Sequence, residues 1–285
     1  MNENTNGTRD GREIPKVAII GAGALGGAVA RGLAKRGWEV TASCPHPDRR
    51  PEVARDGARL ISDNEEAASW GEVVMFAVKP HLTLGVVREL APFVRGKLCV
   101  SLAAAVPLEL LREAAPLARW ARAMTSISAA MNATFTGLTT DDEACSANDF
   151  FLLSDIFGRL GQVASVEEGK LDALTALTGA APALFLDLME GAAMGGIQAG
   201  LPKDLAYRGA AAAVLGAARL AMDEDRAPSE LRDAICTPGG MTIEGVAEIE
   251  ASGARGAMMR AIVKTAEKGR VLAERIVAGL REGRN

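Results

Sequence analysis

Aromatic residues are scarce in this chain of 285 residues: they make up 4%, with one Tyr, three Trp and seven Phe. Its core must therefore be built from Ala, Leu, Val, Ile and Met. Histidine is limited to His46 and His81, which leaves no His-rich metal site and argues against a histidine general base. Cys44, Cys99, Cys145 and Cys236 stand far apart with no C-x-x-C pair, so neither a zinc site nor a disulfide framework is indicated. Free thiols in a reducing cytoplasm, with no metal, are the expectation. Positive charge is not in excess. With a net charge of −4, nothing electrostatic draws the chain to nucleic acid. Long uninterrupted apolar runs are also missing on this reading. The stretch from Val17 to Leu33 contains five glycines and Arg31, whereas a bilayer span needs about 20 consecutive apolar residues. Residues 1–13 are polar and lack the apolar centre of a secretory signal. No membrane association is expected.

What is present is an ordinary globular composition, 48% hydrophobic and 24% charged, in a length suited to one large or two modest domains. The first half alternates strand-like and helix-like segments. Strands are expected at Lys16–Ile20, Glu39–Ala42, Ala58–Ile61, Glu72–Ala77, Leu98–Leu102 and Trp120–Met124. Helices are expected between them at about Leu25–Arg36, Glu52–Gly57, Glu65–Ser69, Leu82–Phe93 and Pro107–Ala114. Parallel neighbours need crossover connections, so this βαβα order predicts a parallel sheet covered by helices on both faces. Apolar runs such as Val73–Val78 fit strands buried on both sides.

From Lys170 onward the pattern is helical throughout: 170–199, 203–223, 229–234, 242–251 and 254–280. The stretch from Leu171 to Ala199 is apolar or small on almost every face and carries Gly179, Gly191, Gly195 and Gly196. A helix without a polar face is buried all round, and a helical domain of this size covers such a helix most readily with a second subunit. The expected organisation is a disordered tail over 1–14, a dinucleotide-binding domain over 15–168, and an all-helical dimerisation and substrate domain over 169–285.

Gly21-Ala22-Gly23-Ala24-Leu25-Gly26 is a G-x-G-x-x-G between a strand and a helix inside a βαβ unit. In that context the first glycine serves the tight turn, the second admits a pyrophosphate to the backbone, and the third lets helix and strand pack closely. Free N–H groups at the helix start, including those of Ala24 and Leu25, would hold the phosphates. The second strand ends on Ser43 rather than a carboxylate, and Arg49 and Arg50 follow. A 2′-phosphate would find a hydroxyl and cations there, so NADPH is favoured, with Asp48 leaving NADH possible.

A wider set of motifs carries a resemblance. Gly21–Gly26, Ala77-Val78-Lys79-Pro80, Arg122-Ala123-Met124, Leu177-Thr178-Gly179, Ala199-Gly200-Leu201-Pro202, Leu215-Gly216-Ala217-Ala218 and Thr237-Pro238-Gly239-Gly240-Met241-Thr242 together resemble pyrroline-5-carboxylate reductase in order and spacing, over about Lys16–Ile276. The resemblance implies a Rossmann domain followed by a helical dimerisation domain that can assemble into rings of dimers. It also implies NAD(P)H-dependent reduction of a small cyclic imino acid to proline. By resemblance, Thr242 matches the position that assists at the imine nitrogen, and Thr237, Gly239 and Gly240, with Met241 beside them, match the positions holding the substrate carboxylate. Ala77, Val78, Lys79 and Pro80 match the loop beside the cofactor, and Ala103 and Ala104 match the small residues beneath its nicotinamide. Read physically, Pro238 and two glycines form a turn that opens a helix near Met241, whose free N–H groups suit a carboxylate.

Two stretches depart from the family pattern. Thr125-Ser126-Ile127-Ser128 stands where the family has Pro-Asn-Thr-Pro, and Gly179-Ala180-Ala181-Pro182-Ala183-Leu184 stands where it has Gly-Ser-Gly-Pro-Ala-Tyr. Each loses hydrogen-bonding groups. They keep open a reductase of a different cyclic imino acid, such as a modified pyrroline or a piperideine carboxylate. A non-catalytic NAD(P)-binding regulatory protein is a further alternative, opposed by the intact 237–242 block. A β-hydroxyacid dehydrogenase is opposed by the absence of a Lys and an Asn between Thr178 and Leu188.

Overall fold

The computed structural model describes residues 8–9, 12–141 and 143–281. Of the tail expected over 1–14, residues 1–7 and 10–11 lie outside the described residues. Within the described remainder, β1 (Thr8–Arg9) pairs antiparallel with β2 (Arg12–Glu13).

The main sheet has eight strands: β3 (Val17–Ile20), β4 (Val40–Ser43), β5 (Arg59–Ile61), β6 (Val73–Phe76), β7 (Leu98–Ser101), β8 (Arg119–Met124), β9 (Thr134–Thr140) and β10 (Gly161–Ser165). Their order is β10-β9-β8-β7-β6-β3-β4-β5. Every neighbouring pair is parallel except β8 with β9. The expected strands all form, within a residue or two of their expected ends. β3, β4, β6 and β7 are buried at every residue, as expected of strands sandwiched by helices, and Thr41, Ser43 and Ser101 are the polar residues among them.

Two apolar layers flank this sheet. One joins Val17, Ile19, Val40 and Met75 to Val29 and Leu33 of α1 (Ala24–Ala34), Val53 of α2 (Pro51–Arg55) and Phe157 of α6 (Ala147–Gly158). The other joins Ile20, Val74, Phe76 and Trp120 to α3 (Asn64–Trp70), α4 (Pro80–Leu90) and α5 (Leu108–Ala114). Trp120 stacks at a tilt on Phe76, with ring centroids 5.4 Å apart, and its indole N–H donates to Ala115 O, so one of the chain's few aromatic pairs sits at the middle of this layer. The Lys97 ammonium donates to Ala68 O, Ser69 O and Gly71 O, each at 2.8 Å. These are carbonyls that the end of α3 would otherwise leave unpaired.

The remaining helices are α7 (Leu171–Thr175), α8 (Ala181–Gln198), α9 (Lys203–Asp223), α10 (Pro228–Ile235), α11 (Met241–Ala251) and α12 (Ala254–Arg281). Residues 176–180 bridge α7 and α8 as a turn of π-helix. The chain divides into two compact units, 1–179 with 265–285, and 180–264. This division differs from the expected boundary near 168 in assigning α7 and the end of α12 to the sheet. Val277 of α12 packs on the layer that contains Trp120.

One helix bears on the expected absence of a membrane span. The continuous helical run over 168–198 has 31 residues, and an 18-residue window within it reaches a mean hydropathy of 1.3, long and apolar enough by length and composition to cross a bilayer. Only 17% of that window is buried within the chain. Phe185, Leu186, Leu188 and Met194 are exposed, as are Val214, Leu215, Leu220 and Met222 of α9. The all-round burial expected of this helix is thus not supplied by the chain itself. Exposed apolar area on this scale marks a surface that a second body covers.

Candidate functional site

The carboxyl ends of β3, β4, β6, β7 and β8 share one edge of the sheet because these strands run parallel. In open α/β sheets this is the edge where ligands bind. Along it the structure brings together the sequence-predicted residues Gly21–Gly26, Ser43, Arg49 and Arg50, Ala77–Pro80, and Ala103 and Ala104. Thr237–Thr242 belong to the other compact unit.

The glycine loop has the shape its sequence calls for. Gly21 has φ +101°, a conformation open to glycine, and a Cβ there would lie 2.9 Å from the Val78 nitrogen. At Gly26 a Cβ would come within 2.1 Å of Gly21 O, so only glycine lets α1 approach its own entry turn. Gly23 differs: it is exposed, and a Cβ would meet nothing within 4 Å. It is the N-cap of α1 with no side-chain cap, which leaves the first-turn N–H groups free and facing open space. A crowded first and third glycine around an open second one is a cradle fitted to a pyrophosphate.

The loop is tied to the second strand through Gly21 N and Ala22 N, which donate to Ser43 O at 3.0 and 2.7 Å. The Ser43 hydroxyl, however, is fully buried and donates to Asn64 Oδ1 at 2.7 Å. It presents no surface to a 2′-phosphate, so that part of the expectation is corrected. Arg49 is exposed and makes no ion pair among the described residues, and Arg50 stands 3.8 Å from Glu52 Oε1. If these two set the nucleotide preference, Arg49→Ala/Arg50→Ala should weaken NADPH by about tenfold or more and leave NADH within about twofold. Titration of the double variant with both cofactors checks this, and an unchanged ratio assigns the pair to solvent.

Ala77 N donates to Ile20 O at 2.8 Å, fixing the start of the next loop against β3. Lys79 is the exposed N-cap of α4, and its carbonyl, not its ammonium, is engaged, accepting from Thr83 Oγ1 at 3.2 Å. Pro80 follows at the first helical turn, where its missing N–H costs nothing. Past β7, Ala103 is buried and its N–H donates to Ser101 Oγ at 3.3 Å, and Ala104 is half-buried. The next residue, Ala105, has φ +69°, a left-handed conformation costing a non-glycine residue about 1 kcal/mol. Ala105→Gly should therefore raise stability by up to about 1 kcal/mol, read as a higher denaturation midpoint. Equal or lower stability would show that the flanking strand end does not impose the conformation.

Sequence reasoning assigns Arg122, Thr134 and Thr136 no ligand-facing role, whereas Thr125–Ser128 stands out in it as a departing stretch. Buried on β8, Arg122 pairs through Nη1 with Glu168 Oε1 at 2.8 Å, and Leu108 N donates to the same oxygen at 2.8 Å. This contact ties the sheet to the start of α5. Just beyond β8, Thr125, Ser126, Ser128, Thr134 and Thr136 form a continuous hydroxyl cluster. Three of its members lie in the departing stretch Thr125–Ser128, and the other two in the Thr-x-Thr alternation at 134–136. Two thiols are passive, since burial raises Cys145 to about 11 and pushes Cys99 higher still.

In the second unit, Gly239 has φ +71° with open space around it, and Gly240 N donates to Thr237 O at 2.9 Å. A Cβ on Gly240 would fall 2.3 Å from Thr237 Oγ1, which would have to rotate away, while the left-handed conformation at Gly239 is the one that favours glycine in this turn. Gly240 is the N-cap of α11, again without a side-chain cap. Met241 is almost fully exposed, and Thr242 is exposed beside a cleft of about 220 Å³ shared with Leu220, Ala221, Leu231, Arg232 and Ile235. The Arg232 guanidinium donates to Asp233 Oδ1 at 2.7 and 2.9 Å, and that pairing raises its pKa further. Arg232 also lies 3.6 Å from Glu250 and, Thr242 apart, the rest of the cleft lining is apolar, so the features suited to a small carboxylate are the free backbone donors and the hydroxyl at the start of α11.

Residues 168–272 match the family described as pyrroline-5-carboxylate reductase dimerisation, and residues 16–105 match the one described as NADP oxidoreductase, coenzyme F420-dependent. The pyrroline-5-carboxylate reductase of Pisum sativum is 35% identical over 261 residues, covering 90% of this chain and 95% of its own length. The corresponding enzyme structure from Coxiella burnetii superposes with a TM-score of 0.81 at 26% identity, covering 91% of this chain and 99% of that one. A Plasmodium falciparum pyrroline carboxylate reductase solved with NADP bound shares the fold, with a TM-score of 0.81 at 22% identity over 91% of this chain and 98% of its own. The similarity is thus neither local nor confined to the cofactor half, and the chain belongs to the pyrroline-5-carboxylate reductase family.

Proposed function

We propose that this protein is a cytoplasmic NADPH-dependent reductase that converts 1-pyrroline-5-carboxylate to proline. The observation that carries the reading is full-length similarity to reductases of that name, in a chain that keeps both the pyrophosphate cradle at Gly21–Gly26 and the uncapped, glycine-closed start of α11. Bound nicotinamide would supply hydride to the imine carbon. The chain's own tasks are to hold and orient. Gly23, Ala24 and Leu25 offer N–H groups to the diphosphate, and Arg49 and Arg50 offer cations to the 2′-phosphate. Thr237, Gly239, Gly240 and Met241 hold the substrate carboxylate, and the Thr242 hydroxyl hydrogen-bonds the ring nitrogen as it gains its proton. A cyclic imine is readily protonated in water, so no strong acid residue is required, in keeping with a chain that has two histidines.

The functional division follows: residues 15–168 serve the cofactor, and residues 169–285 serve substrate and assembly. The exposed apolar faces of α8 and α9, within the matched dimerisation region, support a homodimer or a ring of dimers rather than membrane insertion. NADPH oxidation by the purified protein across a panel of cyclic imino acids tests the activity. Turnover with 1-pyrroline-5-carboxylate at the highest kcat/KM is expected. A stronger response to a six-membered or substituted imine would move the substrate to the alternative left open by Ser126, Ala180 and Leu184.

A further inference from the structure

The five hydroxyls beyond β8 lie on the edge that carries the glycine loop, because β9 runs antiparallel to β8 and brings its first residues back to that edge. Thr125 and Thr136 are buried, as are Ser126 and Thr134, while Ser128 is half-buried. The direction of their hydrogen bonds can be worked out, since each hydroxyl has one proton and two lone pairs. Thr136 Oγ1 donates to Thr125 Oγ1 at 3.0 Å. The Thr125 proton must then go to Thr134 Oγ1 at 3.1 Å, because the opposite direction would strand a proton in the buried interior. Thr134 Oγ1 also accepts the Ser126 N–H at 3.2 Å, which fills both its lone pairs. Its own proton is therefore donated to Ser126 Oγ at 3.1 Å. Ser126 in turn donates to Ser128 Oγ. The relay runs one way, outward, and ends on Ser128, whose proton has no acceptor among the described residues.

From this relay we infer that Ser128 is a ligand-binding residue, donating its hydroxyl proton to the carboxamide oxygen of the cofactor's nicotinamide. The assignment rests on the cofactor reading above. With the glycine loop at β3 and the 2′-phosphate side toward β4, a dinucleotide lying across the strand ends extends its other ring toward β6, β7 and β8. The polar substituent of that ring is an amide, whose oxygen is an acceptor. Each hydroxyl in a chain polarises the next, so Ser128 is a stronger donor than an isolated serine.

Binding of two probes to the protein without substrate, followed by calorimetry, tests this: NADPH, and 2′-phospho-ADP-ribose, which lacks the nicotinamide. Ser128→Ala should weaken NADPH about three- to tenfold and leave 2′-phospho-ADP-ribose unchanged. Ser128→Thr, which keeps a hydroxyl, should restore NADPH affinity. Equal loss of both probes, or no loss of either, overturns the assignment. A wild-type protein that binds neither probe would instead refute the cofactor reading itself, and the assignment with it.

Discussion

Alanine at Gly26 should abolish measurable NADPH binding and lower stability, whereas alanine at Gly23 should abolish binding alone. The two glycines sit three residues apart in one loop, yet their surroundings are opposite. A methyl group at Gly26 would come within 2.1 Å of the Gly21 carbonyl oxygen, which is backbone and cannot rotate aside. Either α1 backs away from its entry turn or the turn opens, and both spoil the row of N–H groups that would hold the diphosphate. Overpacking of this kind costs about 1–3 kcal/mol or more, so the melting temperature should fall together with a loss of affinity of at least about 100-fold. At Gly23 a methyl group meets no protein atom within 4 Å, so Gly23→Ala should melt like the parent protein. It should still lose cofactor, because the space the methyl takes is the space the diphosphate needs. Calorimetric titration with NADPH beside thermal melts separates the two outcomes. Parent-like affinity in Gly23→Ala would mean that the open space at the head of α1 is not the diphosphate site.

Thr242→Ala is expected to lower kcat about 100-fold with NADPH affinity unchanged. Thr242 is exposed at the first turn of a helix that no side chain caps, beside the Arg232 cleft, and its side chain makes no hydrogen bond among the described residues. An interaction made with the nitrogen mainly as it gains its proton affects turnover more than ground-state binding. Thr242→Ser, which keeps the hydroxyl, should recover most of the rate. Equal losses in kcat and cofactor affinity would contradict the role, and so would failure of the serine variant to recover.

The expected strands were most legible at β3 and β6, which read Val-Ala-Ile-Ile and Val-Val-Met-Phe, because a strand buried on both faces has few polar positions to confuse the pattern. The segment from Thr125 to Gly169 gave no such signal. β9 reads Thr-Phe-Thr-Gly-Leu-Thr-Thr, with threonines facing one another in the hydroxyl relay instead of an apolar layer. β10 lies at the sheet edge, half-exposed, where alternation is weak and burial does not sharpen it. The glycine loop was legible because each glycine answers a separate steric demand. Ser43 was misread because a strand-end hydroxyl can turn inward as easily as outward, and here Asn64, 21 residues later, claims it. The apolar stretch over 171–198 was legible both as one continuous helix and as a surface needing cover, because almost none of its positions is charged.

The return of α12 to the sheet layer through Val277 bears on synthesis. The first-made unit can acquire this packing partner only after the whole intervening unit, 180–264, has been synthesised. Nascent chains halted before residue 265 would carry an uncovered patch on the α4 and α5 side, an inviting target for chaperones, and splitting the gene at the junction near residue 180 would leave that same patch bare in the amino-terminal fragment.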